Sequence, residues 1–398
     1  MQNIRVTTDC NNGAVTVSVR TQGPRDGLTV EMEASFHGRA AGGCSAQICG
    51  EYTTAAFTVE DPQLWTAGVP NLYDIVYRLK KDGRVIDTVT GYFGIRTIEL
   101  KDGAVCINNK PVFQRLVLDQ GFYPDGIYTA PTDQDLKRDI ELAMATGFNG
   151  ARLHQKVFEE RFLYWADHLG YLVWGEHASW GLDITTADGI SCFLPEWLEI
   201  LERDYSHPAI VVWCPFNETW DNRGRRQDDN VLKTVYLATK AADHTRPVID
   251  TSGFYHVITD IYDIHDYEQS TAVFQERYRN LTAGGYYDAR SDRQRYGGQP
   301  YCVSEYGGTR WPVQDKGGWG YGKAPKSEQE AAQRICGLTE TLLDCAGVCA
   351  FCYTQLYDIE QEQNGLYTYD RAPKFTAETY DRFRAVCAKQ AAIEKKGR

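Results

Sequence analysis

The sequence predicts an α/β chain in which a (β/α)8 TIM barrel is preceded by a small all-β sandwich, and three observations carry that prediction. The first is length: 398 residues are too many for one ordinary globular unit, yet suit a barrel of roughly 250 residues with a small domain attached. The second is a change of rhythm. Up to about Leu100 apolar and polar residues alternate, whereas from Leu136 onward short apolar runs alternate with amphipathic segments. The third is that eight such strand-like runs can be traced.

In chain order, Ala14 to Val19, Leu28 to Met32 and Tyr73 to Tyr77 alternate between Gly- and Pro-bearing turns, as strands of an antiparallel sandwich do, and Lys81-Asp82-Gly83-Arg84 is a hairpin signal. The sandwich is assigned residues 1–98 and the barrel 99–398. Barrel strands are expected at Val112 to Leu118, Gly150 to His154, Tyr171 to Glu176, Ile210 to Phe216, Val248 to Thr251, Ile261 to His265, Tyr301 to Glu305 and Val348 to Thr354. Helices are expected at Thr132 to Thr146, with Thr132 and Asp135 as a capping pair, and at Phe158 to Leu169, Leu194 to Tyr205, Asp228 to Asp243 and Ser327 to Asp344. Ala377 to Arg398 reads as a closing helix with a basic tail. The stretches Gly284 to Pro300 and Gly307 to Pro325, rich in Gly, Tyr, Trp and Arg, are expected as loops over the open end of the barrel.

Composition narrows the partners. A formal net charge of -12 makes an acidic surface that repels nucleic acid and anionic membranes, and Arg223-Gly224-Arg225-Arg226 lies beside Asp221, Asp228 and Asp229 rather than forming a basic patch. No apolar run reaches membrane-spanning length, and MQNIRVTTDC lacks the apolar core of a signal peptide. The twelve cysteines lie largely inside apolar stretches, which points to reduced thiols and a cytoplasmic location. Cys345, Cys349 and Cys352 read as buried thiols, since no fourth ligand stands at a zinc-like spacing. No convincing metal-ligand cluster is visible, and no cofactor is assigned.

Chemistry gathers at two strand ends. The apolar run Ala209 to Trp213 leads directly into Asn217 and Glu218, within AIVVWCPFNETW. A carboxylate at the mouth of a core strand is either matched by a structural cation or placed for chemistry, because burying an unpaired charge is expensive. Tyr301-Cys302-Val303-Ser304-Glu305-Tyr306-Gly307-Gly308 repeats the form: a short strand, a glutamate at its exit, and glycines opening a loop. Two such glutamates are what glycoside hydrolysis needs, one to protonate the leaving oxygen and the other to attack or to activate water. In the barrel Glu218 follows the fourth strand and Glu305 ends the seventh, at the face where barrel sites are built.

These residues resemble a known family. SHPAIVVWCPFNETWD resembles the acid/base motif of glycoside hydrolase family 2, the β-galactosidase, β-glucuronidase and β-mannosidase family, and YCVSEYGG resembles its nucleophile motif. Asp61-Pro62-Gln63-Leu64-Trp65, Pro70-Asn71-Leu72-Tyr73 and Gly91-Tyr92-Phe93-Gly94-Ile95-Arg96 look like the family's immunoglobulin-like domain, and Ile107-Asn108-Asn109-Lys110-Pro111 looks like its entry into the first barrel strand. The resemblance implies a retaining double displacement on a carbohydrate substrate. Glu305 would attack the anomeric carbon and Glu218 would serve as acid, then as base. Apolar surroundings and the field of Glu305 should then raise the pKa of Glu218, while hydrogen bonds hold Glu305 as the carboxylate. Matching positions make Asn217 the partner of the sugar's 2-hydroxyl and Tyr267 a hydrogen-bond donor to the nucleophile. Further candidates for the substrate site are His154, Arg152, His265 and Asp119, with Glu176, His177 and Asp266 at other strand ends. Trp220, Trp311, Trp180 and Trp319 are candidates for stacking on sugar rings, or equally for packing their own loops.

The chain also departs from the resemblance. Full-length members begin with a jelly-roll domain, absent here, so the expectation is a fragment, a partner subunit such as a second copy, or a loop that fills the gap. β-Glucuronidases carry an Asn-x-Lys that binds the uronate carboxylate; the comparable stretch here is Gln361-Glu362-Gln363-Asn364, which disfavours that sugar. Phe351-Cys352-Tyr353 stands where a tryptophan is usual. The leading expectation is a β-galactosidase-like enzyme. A carbohydrate-binding barrel without turnover and a transglycosylase remain as alternatives.

Overall fold

Seven strands build the sandwich: Asn3–Asp9 (β1), Ala14–Arg20 (β2), Leu28–Phe36 (β3), Arg39–Gln47 (β4), Tyr52–Thr58 (β5), Tyr73–Lys81 (β6) and Arg84–Phe93 (β7). In β2 the alternation has its expected result, with Val15, Val17 and Val19 buried and the residues between them half-buried. The sheets β1-β2-β5 and β4-β3-β6-β7 share one apolar core that includes Val30, Met32, Ile75 and Phe93. β6 and β7 meet through Asp82 and Gly83 at φ 49° and 81°, the left-handed pair that a tight hairpin of this hand needs. This computed structural model describes residues 1–395 except 280, 282–285 and 314–316, and of Asp188 the backbone alone. Parts of the two expected loop stretches, and the end of the basic tail, therefore lie outside the described residues.

A small antiparallel sheet, Ile98–Lys101 (β8), Ala104–Ile107 (β9) and Lys110–Pro111 (β10), joins the two units, and its Val105 and Ile107 enter the barrel's core. The barrel strands are Gln114–Asp119 (β11), Gly150–Leu153 (β12), Leu172–Glu176 (β13), Ile210–Cys214 (β14) continued by Phe216–Asn217 (β15), Thr251–Ser252 (β16), Tyr262–Asp266 (β17), Tyr301–Gly307 (β18) and Val348–Thr354 (β19). They pair in parallel in the order β14-β13-β12-β11-β19-β18-β17, with β15 paired to β16. Both faces of these strands are covered, which is why they read as nearly unbroken apolar runs. The fifth strand is shorter than expected. Val248 bridges to Trp213, but its N–H donates to the Asp260 carboxylate (2.9 Å) and its carbonyl accepts from Asp260 N (2.9 Å), so bonds to one aspartate stand where a ladder would run.

The helices are Asp133–Thr146 (α1), Glu160–Leu169 (α2), Asp188–Asp204 (α3), Asp229–Ala242 (α4), Thr271–Arg279 (α5), Glu328–Asp344 (α6) and Ala377–Cys387 (α7). Thr132 caps α1 by accepting from Asp135 N, as its spacing predicts. α3 starts six residues before the expected Leu194 and carries Pro195 inside it, because Ile190, Phe193, Trp197 and Leu201 recur on one face packed against the core. α5 has only Phe274 and Tyr278 buried, too weak a stripe to be read from sequence. The closing helix stops at Cys387. Across the seam, Arg96 donates to the carbonyls of Pro208 (2.8 Å) and Ile210 (2.9 Å), so the end of the sandwich clamps the start of the strand that leads to Glu218.

Candidate active site

Glu218 stands immediately beyond β15 in a left-handed backbone conformation, φ 43°, held by its N–H donating to Ser252 O at 2.8 Å. A non-glycine residue there stores about 1–3 kcal/mol of strain, which the surrounding bonds must sustain. Glu305 lies within β18, Arg152 in β12, His265 in β17, and Asn217 ends β15, while His154 and Tyr267 follow directly on β12 and β17. The parallel register brings all seven to the same open end of the ring.

Arg152 is the hub. Its fully buried guanidinium donates from Nε to Glu176, from Nη1 to Glu305 Oε1 (2.8 Å) and Ser304 O (3.3 Å), and from Nη2 to Asn217 Oδ1. Glu305 takes its second bond at Oε2 from the Tyr267 hydroxyl. The Asn217 amide donates to His154 Nε2 (3.2 Å), which leaves the hydrogen of the ring on Nδ1, where it has no partner among the described residues. Burial pushes His154 down to about 3, so the ring is neutral, and that N–H is covered.

Between the two glutamates sits His265. Its Nδ1 lies 2.6 Å from Glu218 Oε1 and 3.3 Å from Glu305 Oε2, and one atom from each of the three residues falls within 4.8 Å of the others. At 2.6 Å the nitrogen and oxygen share a proton; two ligands at 2.0–2.1 Å from a tetrahedral zinc would stand about 3.3 Å apart. Room for the ring is left by Gly253, at φ 89°, where a Cβ would fall 2.5 Å from the imidazole. The expectation that surroundings raise Glu218 is overturned: burial does press it upward, but the hydrogen bond and charge of His265 outweigh burial and hold the carboxyl below its ordinary value. His265 moves the opposite way. Burial lowers it, and the charge of Glu305 with the bond to Glu218 carries it above the ordinary histidine value.

Asp119, a substrate candidate from sequence, is buried: it accepts from the Tyr357 hydroxyl (2.5 Å) and Gly121 N (2.9 Å), fixing the loop after β11. Trp311 is likewise a loop-packing residue, stacked on Phe375 with its indole N–H toward Lys374 O (3.4 Å). Trp220 is exposed and meets Trp180 edge to face at 6.1 Å beside Glu218, where the two wall a narrow hollow of about 10 Å³. Larger hollows, such as one of about 180 Å³ at the seam beside Arg96, lie away from the glutamates. His177 packs on Phe193, and Asp266 anchors α5 through Arg277 and Tyr278. Sequence reading missed Ser252, Ser304 and Asp263, which support His265 from behind, and Tyr321, whose ring stacks on Tyr267 at 3.4 Å. Only the flanking Gly253 hinted at the first group. Opposite them, Gln120, Gln355 and Asn364 form an amide chain that ends on Glu362, whose carboxyl burial and the charge of Glu305 raise.

A sandwich joined to a parallel barrel, with two glutamates converging at the open end, puts the chain in the class of barrel proteins built as glycosidases are. The chain belongs to glycosyl hydrolases family 2: that family's model matches residues 1–96, and the model of its TIM barrel domain matches residues 98–315. A beta-galactosidase of Photobacterium profundum is 29% identical over 224 residues, 53% of this chain and 21% of that protein. Beta-galactosidase BgaC of Bifidobacterium adolescentis is 25% identical over 314 residues, 74% of this chain and 28% of that one. The chain thus spans about a quarter of the length of these relatives. In fold it is similar to the Bifidobacterium dentium beta-glucuronidase complexed with coumarin-3-O-glucuronide, with a TM-score of 0.79 at 20% identity, over 98% of this chain and 66% of that one. No disulfide is seen among the described residues, and no described helix is long and apolar enough to cross a membrane.

Proposed function

We propose that this chain carries the catalytic centre of a retaining β-glycosidase, acting by double displacement with Glu305 as nucleophile and Glu218 as acid and base. The observation that carries the reading is the approach of the two carboxylates: one oxygen of each lies within 4.8 Å of the other, the close approach that retention, with carboxyl groups about 5–5.5 Å apart, calls for. Arg152 and Tyr267 aim Glu305, one on each oxygen, as a nucleophile must be aimed at a single carbon. Glu218 Oε2 has no hydrogen bond among the described residues, and its side chain is partly open to solvent, as a group that meets a leaving oxygen should be. Asn217 would hold the 2-hydroxyl. The loop tryptophans Trp180 and Trp220 would flank the departing group.

The glycone is read as a neutral sugar, with β-galactosides first. The amide chain Gln120, Gln355, Asn364 suits hydroxyls, whereas a uronate would face Glu362 and find Arg152 already engaged and Lys374 paired with Asp358 at 2.6 Å. A panel of nitrophenyl β-glycosides tests the reading: β-galactoside turnover is expected, and Glu305→Gln should abolish it while the unfolding transition is kept. Turnover that survives this substitution, or binding of the sugar with no product at long times, would refute the assignment.

A further inference from the structure

Resting on the glycosidase reading, we propose that His265 is the proton-holding partner of Glu218: in the resting site the proton destined for the leaving oxygen sits on the imidazole, and it passes to Glu218 only when substrate closes the hollow. The hydrogen-bond directions around the ring carry this. Nδ1 faces Glu218 Oε1 at 2.6 Å and Glu305 Oε2 at 3.3 Å, and a carboxylate can only accept, so Nδ1 bears a hydrogen. Nε2 lies 3.1 Å from Ser252 Oγ, which also reaches Asp263 Oδ2 at 2.5 Å and Ser304 Oγ at 3.0 Å. With the serine hydrogen on the Asp263 carboxylate, its shortest and only charged acceptor, the serine oxygen accepts from Nε2, and this assignment makes the ring an imidazolium with both nitrogens donating. Arg152 Nη1 also stands 3.4 Å from Nε2, but its shorter contacts are to Glu305 Oε1 (2.8 Å) and Ser304 O (3.3 Å).

The charged and titratable groups facing the ring are consistent with one extra proton. Glu218 and Glu305 face it from the loop after β15 and from β18, Arg152 and His154 from the β12 end, Asp263 from its own strand through Ser252, and Arg290 acts on Glu218 from the far loop. Held this way, the site contains the proton of an active acid, but on nitrogen. When a glycosidic oxygen takes the place of water beside Glu218, the carboxylate loses its hydration and the neutral pair is favoured. The Nδ1 proton then moves to Oε1, and the carboxyl turns about its terminal bond and gives that proton to the glycosidic oxygen. The C1–O bond breaks as Glu305 forms its bond to C1, and the aglycone leaves as an alcohol. Water completes the cycle: Glu218 takes one of its protons, its oxygen bonds C1, the bond to Glu305 breaks, and the proton returns to His265.

The experiment compares wild-type chain and His265→Gln on two β-galactosides, one with a dinitrophenolate leaving group that needs no proton and one with an alkyl leaving group that does. For the variant, kcat/KM on the alkyl glycoside should fall about 100-fold more than on the dinitrophenyl one, the share that general acid catalysis supplies. Its basic limb should move down by about one pH unit or more, from the raised histidine toward the carboxylate range. Histidine-¹⁵N NMR gives a readout apart from activity: at pH 7 the His265 signal should be that of an imidazolium, and Glu218→Gln, which leaves Glu305 beside the ring, should lower the pH at which that signal turns neutral. A wild-type chain that cleaves neither glycoside would overturn the glycosidase reading and this inference with it. An active wild type whose variant keeps both its basic limb and its leaving-group dependence, or a neutral His265 at pH 7, would overturn the inference alone.

Discussion

Replacing Arg152 with methionine removes a guanidinium with no exposed surface and strands two carboxylates, Glu176, which is also fully covered, and Glu305, of which 5% is open. Taking one partner out of a buried pair costs about 3–5 kcal/mol, because the remaining charge is left without compensation in a poor solvent. The substitution also unties Asn217, whose Oδ1 is held by the same guanidinium. The barrel's urea transition, followed through the fluorescence of the buried Trp174 and Trp213, should shift accordingly, and turnover should be lost. A second substitution separates charge from volume: in Arg152→Met/Glu176→Leu one of the stranded carboxylates is gone, so the pair of changes should be less destabilising than the first alone by about 1 kcal/mol or more. If Arg152→Met costs less than about 1 kcal/mol, or if the double variant is no more stable than the single, the hub is not an electrostatic one and this account of Glu305 fails.

Two further outcomes are expected. Tyr267→Phe removes one of two bonds on the nucleophile while Arg152 keeps the other, so kcat on a nitrophenyl galactoside should fall by about 10²–10³ with KM little changed and the fold intact; a loss of only about threefold would contradict the role given to this hydroxyl. Asp119 is pushed up to about 6 by burial and by neighbouring Asp139, so the folded chain holds its proton more tightly than the unfolded one and is disfavoured as pH rises from the ordinary 3.8 through 6. Asp119→Asn keeps an oxygen for Tyr357 and Gly121, and should therefore stabilise the chain above pH 6, by up to roughly 3 kcal/mol, with the gain vanishing below about pH 4 in urea melts.

The periodicity of the chain was enough for its architecture. Val15, Val17 and Val19 alternate because one face of their sheet meets water, and Ile210 to Cys214 does not alternate because both faces of its strand are covered. Strand ends carrying Asn217-Glu218 and Ser304-Glu305 were legible for the same reason, since a carboxylate that closes an apolar run stands out against it. The fifth strand and α5 were not, because one owes its course to the side chain of Asp260 and the other buries only two residues. Where the protons lie was beyond the sequence altogether. Glu218 alone reads as a buried acid whose pKa should rise, and only the fold brings in His265 from 47 residues away, with Ser252 and Asp263 behind it, to reverse the sign. Burial is a property that neighbours in sequence reveal, but the charge that answers a buried group comes from whichever strand the barrel closes against it.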